Sequence, residues 1–185
     1  TACETKLAYF APFFQSSEIE KVGHNLKYDI KVLQQYGMSV QAPLFDTMIA
    51  HYLINPDMRH NMDVLAENYL GYQPQPITEL IGKKGPNQGS MRNVPLDKQT
   101  EYAVEDADVT CQLKNHFVTE MASKEVIDLF NKIELPLVNV LADMESAGIH
   151  IDVNYLKELA IQFQKETATL EERIYEQAGE TFNLA

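Results

Sequence analysis

No run of apolar residues in this chain approaches the ~20 that a membrane span needs, and the N-terminus lacks the basic-then-apolar pattern of a secretion signal. No stretch is Ser/Gly-rich or repetitive, which leaves a globular fold as the default. Cysteine is scarce: Cys3 and Cys111 lie far apart and match no metal or redox spacing, so a reduced, cytoplasmic setting is expected. His24, His51, His60, His116 and His150 are scattered, and none pairs with a second ligand at a zinc spacing. Basic residues are also in short supply, with 15 against 27 acidic ones and a net charge of −12. That balance argues against an autonomous nucleic-acid binder. It leaves room for a nuclease, because a carboxylate-lined site recruits divalent cations and these meet the phosphates.

What is present suffices for a core, since 45% of the 185 residues are hydrophobic. Leu7 to Phe14 is apolar, with Pro12 inside it and no clear start signal. Lys21-Val22-Gly23-His24 reads as a short strand or turn feeding a helix, with Asn25 as its cap and Gly37 as its stop. A second helix fits Asp46 to Asn55, capped by Asp46, and a third fits Asn61 to Leu70, ended by Gly71. Gly82 to Asn93 reads as a loop carrying Lys83, Lys84 and Arg92 with no acid among them. A long helix follows Pro95 to about Met121. Residues 124–147 then read as an amphipathic helix kinked at Pro136 and ended by Gly148. Ile149-His150-Ile151 is predicted as a short strand, and Asp152 as the cap of a last long helix to about Ala178. The change of character after Ser123 sets an expected boundary between a domain at 1–122 and a second at 123–185.

Two aspartates carry the chemistry. Leu26, Asp29, Ile30 and Leu33 fall on one helix face, and Tyr102, Asp106, Val109, Leu113 and Phe117 make one stripe on another helix. A single aspartate on such a stripe commonly sits at its edge and reaches water. A pair on two core-facing stripes needs partners, because unpaired burial of a carboxylate costs several kcal/mol. A shared, cation-binding acidic site is the economical explanation. Tyr102 lies one turn before Asp106 on the same face. Glu105 and Asp108 point elsewhere and are expected to be solvated, while Asp46, Asp63 and Asp152 read as cap or first-turn residues.

Several segments resemble the proofreading module of family-A bacterial DNA polymerases. Val22-Gly23-His24-Asn25-Leu26-Lys27-Tyr28-Asp29 is similar to the second exonuclease motif, close to VGQNLKYD, and Tyr102-Ala103-Val104-Glu105-Asp106-Ala107-Asp108-Val109-Thr110 to the third, Y-x-x-x-D. Phe45-Asp46-Thr47-Met48 and Arg59-His60-Asn61-Met62-Asp63 are similar to the family's FDTM and RHDMD segments. Downstream, Ile133 to Leu137, Glu145 to Asp152 and Ala178 to Leu184 resemble the opening of the polymerase module. The likeness implies an α/β, ribonuclease-H-like 3′–5′ exonuclease fold. It also implies two divalent metals, Mg2+ or Mn2+/Zn2+, held by four acidic side chains and assisted by a tyrosine. Carried over by motif, Asp106 serves the metal that activates water and Asp29 the metal that meets the leaving 3′ oxygen, while Tyr102 orients the water. Asn25, Tyr28 and Arg59 match positions near a single-stranded 3′ end of DNA.

One departure matters: the family's first motif, a D-x-E pair on an opening strand, is absent. Glu4 does not supply it, because Pro12 to Asn25 matches the helix directly before the second motif. The expectation is a fold truncated at its N-terminus and helix-dominated, with the two-metal site complete only in the whole domain and little activity in this segment alone. Its partners are then DNA and the rest of the polymerase chain, with no membrane. A catalytically silent scaffold supporting the polymerase is the alternative. A stand-alone RNA-trimming exonuclease is disfavoured by the polymerase-like tail from about Phe130.

Overall fold

The computed structural model describes residues 2–184, with side chains from Thr5 onward, so the side chains of Cys3 and Glu4 lie outside the described set. Two three-residue strands, β1 (Lys21–Gly23) and β2 (Leu44–Asp46), pair in parallel, with Val22 opposite Phe45. Helix α1 (Ala2–Gln15) precedes β1, and α2 (Leu26–Gln34) connects the two strands. After β2 come α3 (Thr47–Ile54) and α4 (Met62–Leu65), the latter running into a π turn at Ala66–Leu70. Helix α5 (Ile77–Ile81) and a 3-10 turn (Met91–Asn93) bracket the loop before the long α6 (Leu96–Ser123). A short α7 (Ile127–Leu129), a π turn (Phe130–Glu134) and α8 (Leu135–Ala147) complete the first compact unit.

Alternation along β2 explains the layering. Neighbouring strand residues point to opposite faces, so Leu44 joins a cluster with Leu26, Ile30, Val138 and Ala142, whereas Phe45 joins Ile54, Leu65, Leu113, Phe117 and Phe130. Helices α2 and α8 pack together over one face, and α3 and α6 pack together on the other, with α6 also against β1. Both faces of a parallel sheet are thereby covered, as this type of sheet requires. Phe117 and Phe130 are among the largest fully buried side chains, and each contributes about 2–3 kcal/mol by leaving water. On the surface, Lys27 and Lys31 of α2 both reach Glu145 of α8, at 2.6 and 2.8 Å. Their hydrogen bonds hold the Glu145 carboxyl down to about 2.

The Asp46 carboxylate ties the elements together. It is 1% exposed and accepts from Met48 N (2.9 Å) and Ile49 N (3.2 Å), capping α3 as the sequence predicts. It also accepts from Asn25 N (3.2 Å) and Leu26 N (2.7 Å), closing the start of α2. This corrects the expected cap at Asn25. Asn25 adopts a left-handed backbone (φ 67°), which asparagine tolerates, and its side chain makes no capping hydrogen bond. The residue turns the chain from β1 into α2, and Asp46 supplies the acceptor. Gly23 is required beside that turn, since a Cβ there would fall inside contact distance of the buried Leu26 side chain.

Other expectations divide the same way. The interruption expected at Pro136 is taken up one turn earlier, as the π turn at Phe130–Glu134. Pro136 has no N–H and its ring crowds the carbonyl one turn before it, so a wider turn relieves both problems. Glu105, expected to be solvated, is half-buried and also accepts from the Tyr72 hydroxyl and from Gln75 N (2.9 Å). Residues 149–151 form no strand, and the sheet among the described residues contains β1 and β2 alone. In the second compact unit, from Gly148, Asp152 caps α9 (Val153–Ala178) through Tyr155 N at 3.0 Å. Gly179 ends that helix at φ 74°, and the Tyr175 hydroxyl donates to the Phe182 carbonyl at 3.1 Å.

Replacing Asp46 strips a buried acceptor from four amides at once. Asp46→Ala is expected to lower stability by about 3 kcal/mol, read from the urea midpoint, with Asp46→Asn recovering part of the loss.

Candidate functional site

Two helices carry the candidate carboxylates, and β1 lies between them in the fold: α2 follows it through the Asn25 turn, and α6 packs against it. On α6 the predicted stripe divides by depth. Val109, Leu113 and Phe117 are buried, while Tyr102 and Asp106 sit half-buried toward the helix N-terminus. The Tyr102 hydroxyl donates to the Asp106 carboxylate one turn away. Burial and the Asp106 charge push the Tyr102 phenol up to about 12, so it keeps its proton as a donor. Burial raises the Asp106 carboxyl against the lowering effect of the Tyr102 hydrogen bond, and the Glu105 and Asp63 charges raise it further.

On α2, Asp29 is exposed rather than core-facing as its stripe predicts, and it lines a cleft of about 420 Å³ with Phe13, Phe14, Tyr28 and Leu33; Asp106 is not among the groups that act on it. The protein around it still removes enough water to raise its pKa, with the buried Asp46 charge adding to the effect. Among the described residues, neither Asp29 nor Asp106 makes an ion pair with a lysine, arginine or histidine. Both are therefore partly desolvated anions without a protein cation to offset them. Their hard oxygen donors suit Mg2+ or Mn2+ rather than a thiolate- or imidazole-seeking metal. The set is nonetheless thin, for among the described residues no three His, Cys, Asp or Glu side chains come together as a metal-binding group. Asp143-Met144-Glu145 repeats the D-x-E spacing, but on helix α8, with Glu145 committed to two lysines.

Of the other sequence candidates, Tyr28 lines the same cleft as Asp29. Tyr28 is 66% exposed, Arg59 is exposed with no ion pair among the described residues, and Asn25 is half-buried in its turn. Two features escaped the sequence reading. Asp63, read there as a first-turn residue, stands near enough to raise both the Asp106 carboxyl and the Tyr102 phenol. His51 is fully buried on α3, where its position on the Thr47, Ala50, Ile54 stripe was the available signal.

The sign of the Asp106 shift gives a stability test. An aspartate whose folded pKa is raised holds its proton more tightly folded than unfolded. It contributes stability in acid that is lost as pH rises through the folded value. Without divalent metal, Asp106→Asn is expected to melt a few degrees above the parent at neutral pH, a gap that closes on acidification toward the ordinary aspartate range. Thermal denaturation across pH in EDTA checks this.

Comparison with known proteins agrees with this architecture. A family model described as 3′–5′ exonuclease matches residues 1–122. The DNA polymerase I of Chloroflexus aurantiacus is 38% identical over 98% of this chain and 19% of its own length. That of Rhizobium leguminosarum is 36% identical over 92% of this chain and 17% of its own. The chain thus spans less than one fifth of these curated relatives. Among solved structures, the POL domain of Pol1 from M. smegmatis, in complex with DNA primer-template and dNTP, shares the fold. Its TM-score is 0.73 at 24% identity, over 98% of this chain and 28% of that one. With the family model matching residues 1–122 and these relatives beside it, the chain belongs to the 3′–5′ exonuclease family of bacterial DNA polymerase I, a ribonuclease-H-like fold in helix-rich form.

Proposed function

We propose that this chain is the part of a proofreading exonuclease that supplies two of its metal-binding carboxylates and the tyrosine beside them, within a DNA polymerase of replication and repair. The parent hydrolyses the 3′-terminal phosphodiester of DNA in the cytoplasm of a bacterial cell. The observation that carries the reading is the Tyr102–Asp106 hydrogen bond on α6, on a carboxyl raised by burial that has no ion pair among the described residues, with Asp29 on α2 raised in the same direction. We place the division between exonuclease and polymerase modules near residue 122, although the first packing unit continues to Ala147.

Asp106 and Asp29 would each hold a divalent cation, Mg2+ in the cell, and such a pair lowers the pKa of the attacking water and meets the charge on the leaving oxygen. The residues of the chain do the rest. Tyr102, protonated at any physiological pH, donates to Asp106 and offers its oxygen lone pair to position the water. Water attacks phosphorus, the bond to the 3′ oxygen breaks, and a nucleoside 5′-monophosphate leaves a strand one unit shorter with a free 3′ hydroxyl. The exposed Tyr28 ring is available for stacking by an unpaired base, and Arg59 for a phosphate. Asn25, held in its turn by Asp46, presents an amide to the strand end.

A silent scaffold is the second reading, favoured by the lack of a three-ligand group among the described residues. Digestion of a 3′-labelled single strand with magnesium separates the two. In the complete polymerase, Asp106→Ala should cut 3′ digestion about a hundredfold or more while polymerisation persists, the scale of losing a group that meets transition-state charge. The 185-residue chain alone should digest little. Unchanged digestion in Asp106→Ala would favour the scaffold.

A further inference from the structure

A line of hydrogen-bonded rings runs beneath the segment that carries Arg59. His51, 0% exposed on α3, places its Nδ1 2.7 Å from Nδ1 of His60 and its Nε2 3.1 Å from the Tyr69 hydroxyl. Its ring also packs on Phe117 of α6, and the His60 ring meets Tyr52 edge-on. On the other side, His24 turns its Nδ1 to the Thr47 hydroxyl at 2.9 Å, and that hydroxyl donates to the Gly23 carbonyl. The His24 Nε2 is enclosed with no hydrogen bond among the described residues, and the His60 backbone is one of the groups acting on its ring.

Two facing Nδ1 atoms bond only when they share a single proton. Either His60 donates to His51, whose Nε2–H then donates to Tyr69, or His51 donates to His60 and the Tyr69 hydroxyl donates to His51. Both patterns require a neutral His51. Burial, with His60 beside it, keeps it so by lowering its pKa to about 4, against the opposing Glu120 charge. A buried histidine in a small core is costlier than the aliphatic residue that would fill the same stripe. Here both ring nitrogens are satisfied, and one bond leads directly to the residue after Arg59.

We propose that His51 is a positioning residue for DNA: through His60 it fixes the 55–61 segment so that Arg59 meets the backbone of the single-stranded 3′ end. This rests on the reading of Arg59 as a substrate contact. Arg59 is exposed and has no ion pair among the described residues, so nothing on its own side chain sets its direction. The backbone beneath it has to do so, and the His60 anchor is the adjacent fixed point.

The test uses the complete polymerase with magnesium and a 3′-labelled single-stranded oligonucleotide, and compares His51→Phe, His51→Asn, Arg59→Ala and the double variant His51→Phe/Arg59→Ala. His51→Phe should raise KM about tenfold with kcat nearly unchanged, the scale of losing one charge-assisted contact used in binding. His51→Asn, which keeps an oxygen acceptor near the Nδ1 position, should recover most of the loss. The double variant should be no worse than Arg59→Ala alone, since both changes remove the same contact. Oligonucleotide affinity by fluorescence anisotropy in EDTA should follow the same order. If His51→Phe fails to fold, His60→Phe at the half-buried partner takes its place in each comparison. Additive losses, or a fall in kcat at constant KM, would overturn the proposal. An unchanged KM in His51→Phe beside a raised one in Arg59→Ala would overturn positioning alone. An unchanged KM in Arg59→Ala would remove the Arg59 contact and the proposal with it.

Discussion

One carboxylate organises the first unit. Asp46 ends β2, caps α3 and receives the two amides that open α2, so four backbone donors from two helices converge on a side chain 1% exposed. Orphan amides at helix starts need acceptors, and a charged acceptor is stronger than a neutral one. The arrangement fixes the entry of α2 relative to the sheet and hence where Asp29 stands, one turn into that helix. The same charge raises the Asp29 carboxyl. Fold and site are thus coupled through a single group: the cap that places Asp29 also makes its ionised form more costly.

That cost runs through the whole candidate site. Asp106 is raised by burial and by two neighbouring acids, and Asp29 by burial and one. Carboxyls raised in this way with no ion pair among the described residues leave a demand for positive charge, the condition under which perturbed carboxylates mark functional sites. Under the proposed function, the net charge of −12 leaves most of the attraction for DNA to bound cations and other parts of the parent chain.

Much of this was legible in the sequence, where periodicity was long or a cap was local. The α6 stripe from Tyr102 to Phe117, the Asp46 and Asp152 caps and the glycine stops at 37, 71 and 148 could all be read from spacing. What escaped depended on partners distant in sequence. Strand β2 is three residues long and becomes a strand only by pairing with β1, twenty-odd positions earlier. Asn25 carries a cap residue's chemistry, yet its left-handed backbone and the Asp46 acceptor, both products of the tertiary turn, reassign that role. The partners of Glu105 were not legible because Tyr72 and Gln75 reach it from a loop some thirty positions earlier. The short 149–151 segment had strand composition and forms no strand. At the site, the two aspartates stood out as charges on apolar stripes, with Tyr102 one turn from Asp106, whereas Asp63 resembled an ordinary first-turn residue until the fold brought it near Asp106.

The proposed function requires that Asp29 and Asp106 serve one cation-bearing pocket in the complete domain. Anomalous diffraction from crystals of the complete polymerase grown with Mn2+ tests it most directly. The account predicts density about 2.1 Å from an Asp106 carboxylate oxygen, with a second ion in the same pocket linked to Asp29 directly or through water. Manganese bound elsewhere, with the two carboxylates opening separately into solvent, would contradict it.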